Sequence, residues 1–256
     1  NTDRYAGIFA QTSSATVRDL VVDNATIQGR HDTGTVVGYA AGTSNFSGLI
    51  VKNGSVAIET NNYYYTGGLF GRVDNGQIND AWVINNPVSG HYVVGGVVGQ
   101  SQAVSDNIHN VSSTVTARGN HYTGGLIGYW LYASTLSNSD SSGNVVSDQQ
   151  RVGGLVGDAY ATSSISNSFA TGNVTGSVYV GGIVGVSNSP SLSNVYYASG
   201  TITGTSQAGG FIGHLSNGVT ISNSYVGSGV SISGGDNTGG LIGWMNAGTT
   251  TITGSH

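Results

Sequence analysis

The chain has 256 residues, with 7 Lys and Arg against 12 Asp and Glu and a net charge of −5. It lacks the clustered cations that a phosphate backbone requires, so no nucleic acid is expected as a partner. Forty-three Gly beside only 2 Pro exclude collagen and polyproline linkers, and 14 Tyr argue against disorder.

There is no Cys, so stability must come from packing rather than disulfides. No apolar run approaches the ~20 residues of a membrane helix, and direct membrane insertion is not expected. The chain starts at Asn1 without Met. It reads as one domain over residues 1–256, a fragment of a longer exported protein whose flanking domains would be its nearest partners.

In chain order, a five-residue pattern recurs. It is weak at Ala6-Gly7-Ile8-Phe9-Ala10 and at Gly34-Thr35-Val36-Val37-Gly38. Clear Gly-Gly-apolar-apolar-Gly copies follow at Gly67, Gly95, Gly124, Gly153, Gly181, Gly209 and Gly239. Start-to-start spacings are 28, 33, 28, 29, 29, 28, 28 and 30 residues, with an insertion around Glu59–Tyr65 in the longest. A period of that length means one unit stacked on itself.

Within the unit from Gly153, the pentad is followed by a polar stretch, then Ile165-Ser166-Asn167-Ser168-Phe169, then a break at Gly172 and Asn173-Val174-Thr175-Gly176. Short β-branched or aromatic runs bounded by Gly, Ser and Asn are strands and turns, and no window carries a helical period. The expected fold is all-β, a β-solenoid of about nine coils, ~28 residues and about three short strands per coil. Stacking at ~4.8 Å per coil gives a rod roughly 40 Å long.

Three core ladders follow from the spacing. The first is Val36, Leu69, Val97, Leu126, Leu155, Ile183, Phe211 and Leu241. The second is Val17, Ile78, Ile108, Leu136, Ile165, Leu192, Ile221 and Ile252. The third is Val88, Val115, Val145, Val174, Ile202 and Ile232. A polar column, Asp80, Asn110, Asn138, Asn167, Asn194 and Asn223, reads as a structural asparagine ladder or as a binding row.

Residues two before the pentad (Tyr65, Tyr122, Arg151, Tyr179, Gln207, Asn237) and just after it (Arg72, Gln100, Tyr129, Asp158, His214, Trp244) are polar or aromatic, and both sets are expected to face solvent. They lie seven residues apart, which strict alternation would place on opposite faces. The glycines must therefore bend the strand.

The unit resembles the GLUG motif, carried by Gly153-Gly154-Leu155-Val156-Gly157, Ile165-Ser166-Asn167-Ser168-Phe169 and Gly172-Asn173-Val174-Thr175-Gly176. It is closest over residues 124–243, and the first two coils depart from it. The resemblance implies an exported β-solenoid of the kind found in bacterial surface and secreted adhesins. It supplies no catalytic residues.

No zinc-protease, P-loop or calcium-nonapeptide motif occurs. Asp74 with Asp80, Asp106, and Asp140 with Asp148 are the acids a glycosidase could use, without an obvious close pair. His91 and His121 lie in neighbouring coils, but two His make a weak metal site, so no metal and no cofactor are expected. Thr249-Thr250-Thr251 does not recur as the two-column array an ice-binding face would need.

Tyr63, Tyr64, Tyr132 and Tyr160 belong to an aromatic set beside the pentads. Its candidate ligand-binding members are Tyr65, Tyr92, Tyr122, Tyr129, Trp130, Tyr179 and Trp244, suited to sugar rings or protein contacts. The functional expectation is a non-enzymatic, extracellular structural or adhesive module at a bacterial cell surface, with glycans or host and cell-surface proteins as partners. The alternatives are a carbohydrate-binding module using the aromatic strip and, behind it, a β-helix carbohydrate-active enzyme.

Overall fold

The computed structural model describes residues 4–58, 64–102, 107–161 and 163–256. Glu59, Tyr63 and Asp106, with most of the expected insertion, lie outside the described residues. All the described regular structure is β, and the strands pair in parallel from coil to coil, making a β-solenoid of about eight turns of ~29 residues. Nine short strands form the sheet that precedes the bends, running from Tyr5–Ala6 to Asn237–Gly239. A second sheet of eight strands holds Thr26–Gly29 through Ser231–Ser233, and a third winds between them.

The pentad is the corner. The strand Gln150–Gly153 stops, the chain bends at Gly154 and Leu155, and the strand Val156–Ala159 departs in a new direction. The pentad glycines are there for space, since none of them has positive φ. A Cβ on Gly153 would collide with the Val156 carbonyl across the bend, and one on Gly154 with the Gly182 carbonyl of the next coil.

The first ladder is fully buried from Val36 to Phe211, with Leu241 partly covered. The second is buried through its middle, and Phe46 occupies the position between Val17 and Ile78. In the third ladder, Val88 pairs with Ala117 and not with Val115, so register places Ala117 in the column. Val115 is buried beside it.

The polar column is a second corner. Asp80, Asn110, Asn138, Asn167, Asn194 and Asn223 all have φ between 48° and 53°, the left-handed region. Register adds Asp19, Gly48 and Gly254 to this column, also with positive φ. Most side chains clash there, at roughly 1–2 kcal/mol per residue, and Asn, Asp and Gly tolerate it best. Asn194 Nδ2 donates to Asn167 Oδ1 at 2.9 Å, so part of the column also bonds along the axis.

The serine after the corner bridges coils. Ser168 Oγ accepts from Ser139 N at 3.1 Å and donates to the Ser166 carbonyl at 2.7 Å. Side-chain hydroxyls thus complete the backbone ladder where the corner interrupts it.

Candidate ligand-binding site

The bends bring the two pentad-flanking columns together. One column is Tyr5, Asp32, Tyr65, Val93, Tyr122, Arg151, Tyr179, Gln207 and Asn237. The other is Gln11, Tyr39, Arg72, Gln100, Tyr129, Asp158, Val186, His214 and Trp244. They do not both face open solvent as expected: Gln100 and Asp158 are buried, and Tyr65, Arg72, Tyr122 and Arg151 are half-buried. The bend turns the outward side of each strand toward the other, so the columns pack across a groove that runs along the solenoid.

Ring contacts fill most of that groove. Tyr5 meets Tyr39 at 5.1 Å between centroids, Tyr122 meets Tyr129 at 5.1 Å, and Tyr179 meets His214 at 4.9 Å. Arg72 lies over the Tyr39 ring at 4.9 Å and Arg151 over Tyr122 at 4.8 Å. Tyr92 leans over Tyr122 at 5.2 Å beside the short Val93, while His121 contacts Tyr92 from its other neighbour position at 4.6 Å.

Among the seven aromatic candidates, Tyr65, Tyr122, Tyr129 and Tyr179 line the groove. Trp244 lies in the last coil of the same column and is 42% exposed. Trp130 corrects the expectation of an outward strip. It is fully buried, because alternation turns Tyr129 to the groove and Trp130 inward, between Ser101 and Ala159.

A separate outer column, Phe169, Tyr196 and Tyr225, stacks with rings 5.0 Å apart and nearly parallel. Those faces are spent on one another, which leaves edges outward.

His91 and His121 are close enough to interact electrostatically; burial chiefly, and His91 next, keep His121 below the usual imidazole range. No cluster of three or more metal-ligating side chains occurs among the described residues. The candidate acids are dispersed. Asp74 accepts from Tyr39 and Arg72, Asp80 from Asn110, Asp140 from Ser112 and Asp148 from Arg118.

Among the described residues, the groove is open beside Val186. Val186 replaces a long polar or aromatic side chain in its column, between Asp158 and His214. A cavity of about 300 Å³ results, bounded by Arg151, Asp158, Tyr160, Tyr179, Asn188 and His214. Asp158 is 1% exposed, and one of its oxygens accepts from Arg151 Nη1.

Burial pushes the Asp158 carboxyl up to about 6 against the opposing pull of Arg151. Asp158 Oδ1 and Arg151 Nε, both buried, have no hydrogen-bond partner among the described residues. His214, held below the usual imidazole range by burial and then by Arg151, meets Gln207 Oε1 through Nδ1 at 2.8 Å.

The sequence named both columns but not their pairing. Opposite charges at the two ends of a single pentad, Arg151 and Asp158, were the available signal. Val186 was invisible, because a valine among valines announces no cavity.

Searches among curated proteins and solved structures return no match. The family model for the GLUG motif matches residues 148–175, the coil that carries Arg151 and Asp158. The chain thus carries a GLUG motif set in a β-solenoid, consistent with a GLUG-repeat protein.

Proposed function

We propose that this repeat module works without catalysis, as a structural and adhesive segment of a large exported bacterial protein. The carrying observation is the continuous core, in which buried residues of successive coils form one cluster from Val22 to Ile221. Such a stack resists bending because each coil is bonded to its neighbours along every sheet. It suits a spacer that holds neighbouring domains of the same chain away from a surface and offers its own faces to glycans or host proteins.

The acids support the non-catalytic reading, since Asp74, Asp80, Asp140 and Asp148 each engage a different local partner. Four of the seven cations, Lys52, Arg72, Arg118 and Arg151, are paired with carboxylates, which supports the reading that nucleic acid is not a partner. Among the described residues, no helix is long and apolar enough to cross a membrane.

The test is antibody labelling of intact bacteria that produce the parent protein. Labelling without permeabilisation is the expected result. Labelling only after lysis would overturn the extracellular reading.

A further inference from the structure

The groove holds two arginine–carboxylate groups, and the one at Arg151 is unfinished. Its cavity is lined by two tyrosines, Tyr160 and Tyr179, and by the short side chain of Val186. Tyr160 is 59% exposed, an aromatic body standing at the rim with little of the protein against it.

The chemistry selects a ligand class. Arg151 and Asp158 already neutralise each other, so neither an anion nor a cation finds an unmatched charge. Asp158 Oδ1 and Arg151 Nε, in two residues that line the cavity, are buried and have no hydrogen-bond partner among the described residues. A burial site with an unmatched donor beside an unmatched acceptor favours a ligand that supplies both, and a hydroxyl does so in one group.

Adjacent hydroxyls on a ring supply two such groups at fixed spacing. Aromatic walls meanwhile cover the apolar C–H face of such a ring. Asn188 and Ser216 add further polar groups to the cavity lining. About 300 Å³ lies at the bottom of the range for small-molecule sites, which fits one ring rather than an extended chain.

We infer that this cavity is a binding site for a single hexopyranose unit of a neutral glycan, with Arg151 and Asp158 reading a pair of adjacent hydroxyls and Tyr160 and Tyr179 flanking the ring. The site repeats in no other described coil, because the residue aligned with Val186 is elsewhere Gln11, Tyr39, Arg72, Gln100, Tyr129, Asp158, His214 or Trp244. Among the described residues, the solenoid therefore carries this sugar site at a defined height rather than a continuous strip. This inference rests on the reading that the solenoid offers its faces to glycans and names the place; labelling of cells and binding of sugar in solution can fail separately.

The experiment is saturation-transfer NMR on the whole chain. The probes are methyl glucopyranoside, methyl galactopyranoside and methyl mannopyranoside, with glucuronate and inorganic phosphate as charged comparisons. Transfer to at least one neutral glycoside is expected, and Y160A should weaken it about tenfold by removing an exposed wall. V186F fills the cavity from within and should abolish transfer while leaving the melting temperature unchanged or higher.

D158N is expected to lose binding too. Should that variant fail to fold, Y160A and V186F still decide the matter. Transfer to none of the neutral glycosides would overturn the inference, as would transfer that survives V186F. Preference for glucuronate or phosphate would also overturn it and would make Arg151 an anion site.

Discussion

Arg72 and Arg151 sit in the two columns of one groove, and each pairs with an aspartate, yet the pairs differ in completeness. Arg72 donates through Nε to Asp74 at 2.7 Å and through Nη2 to Gln102, and Tyr39 donates to the other Asp74 oxygen. Both charged side chains keep 28% of their surface in water. Arg151 has Asp158 as its carboxylate partner, that partner is cut off from water, and a donor and an acceptor are left over.

A closed network that remains wetted is part of the scaffold. An open one next to a cavity is where a repeat protein departs from its own repetition. In a solenoid, function is to be sought where the ladder is broken, since regular positions serve their neighbours.

Several measurements would break or sharpen this contrast, and the largest effect is expected from the arginines themselves. R151A strands a buried carboxylate and should cost about 3–5 kcal/mol in urea unfolding. R72A leaves Asp74 with Tyr39 and water, and should cost about 1 kcal/mol. Equal losses would erase the distinction.

The next effect is in pH. Asp158 rises from 3.8 to about 6 and Asp32, chiefly by burial, to about 7 in the folded chain. The folded state therefore binds these protons more tightly than the unfolded one, so their stabilisation is full below about pH 4 and is lost as pH climbs through 6 and 7. Two units for Asp158 correspond to roughly 3 kcal/mol. Melting temperature should fall between pH 4 and 7, and D158N should remove the lower part of that fall. A flat profile in the parent chain would contradict the burial of these groups.

N167A should cost about 1 kcal/mol and N167G almost nothing, because the position demands left-handed backbone and little else. Equal losses in the two would restore the axial amide bond as the main reason for the column. The smallest effect belongs to Y160A, which should stay within about 0.5 kcal/mol of the parent despite its place at the cavity.

Much of the fold was legible because the pentad states both the period and the corner. Gly153 and Gly154 are fixed by carbonyls that come too close for any Cβ, and the same constraint holds at both positions from Gly67 and Gly68 to Gly209 and Gly210. The first ladder was readable for the same reason. The site was less so.

A seven-residue separation across a bend says that alternation fails, not which way the two ends then turn. The sequence therefore places Arg151 and Asp158 toward solvent and does not show that they meet. Trp130 was misplaced because a large aromatic beside a pentad reads as surface, whereas Ser101 and Ala159 on either side leave it room inside. Register decided Ala117 over Val115, and register is a property of neighbouring coils that one unit cannot display.

The most direct test of the account is to map amide chemical shifts while the neutral methyl hexopyranosides are titrated into the labelled chain. Shifts gathered at Arg151, Asp158, Tyr160, Tyr179, Val186, Asn188 and His214 are predicted, with Tyr39, Arg72 and Asp74 unmoved. Shifts spread along Tyr65, Tyr122 and Tyr129, or absent throughout, would contradict the claim that function sits at the opening beside Val186.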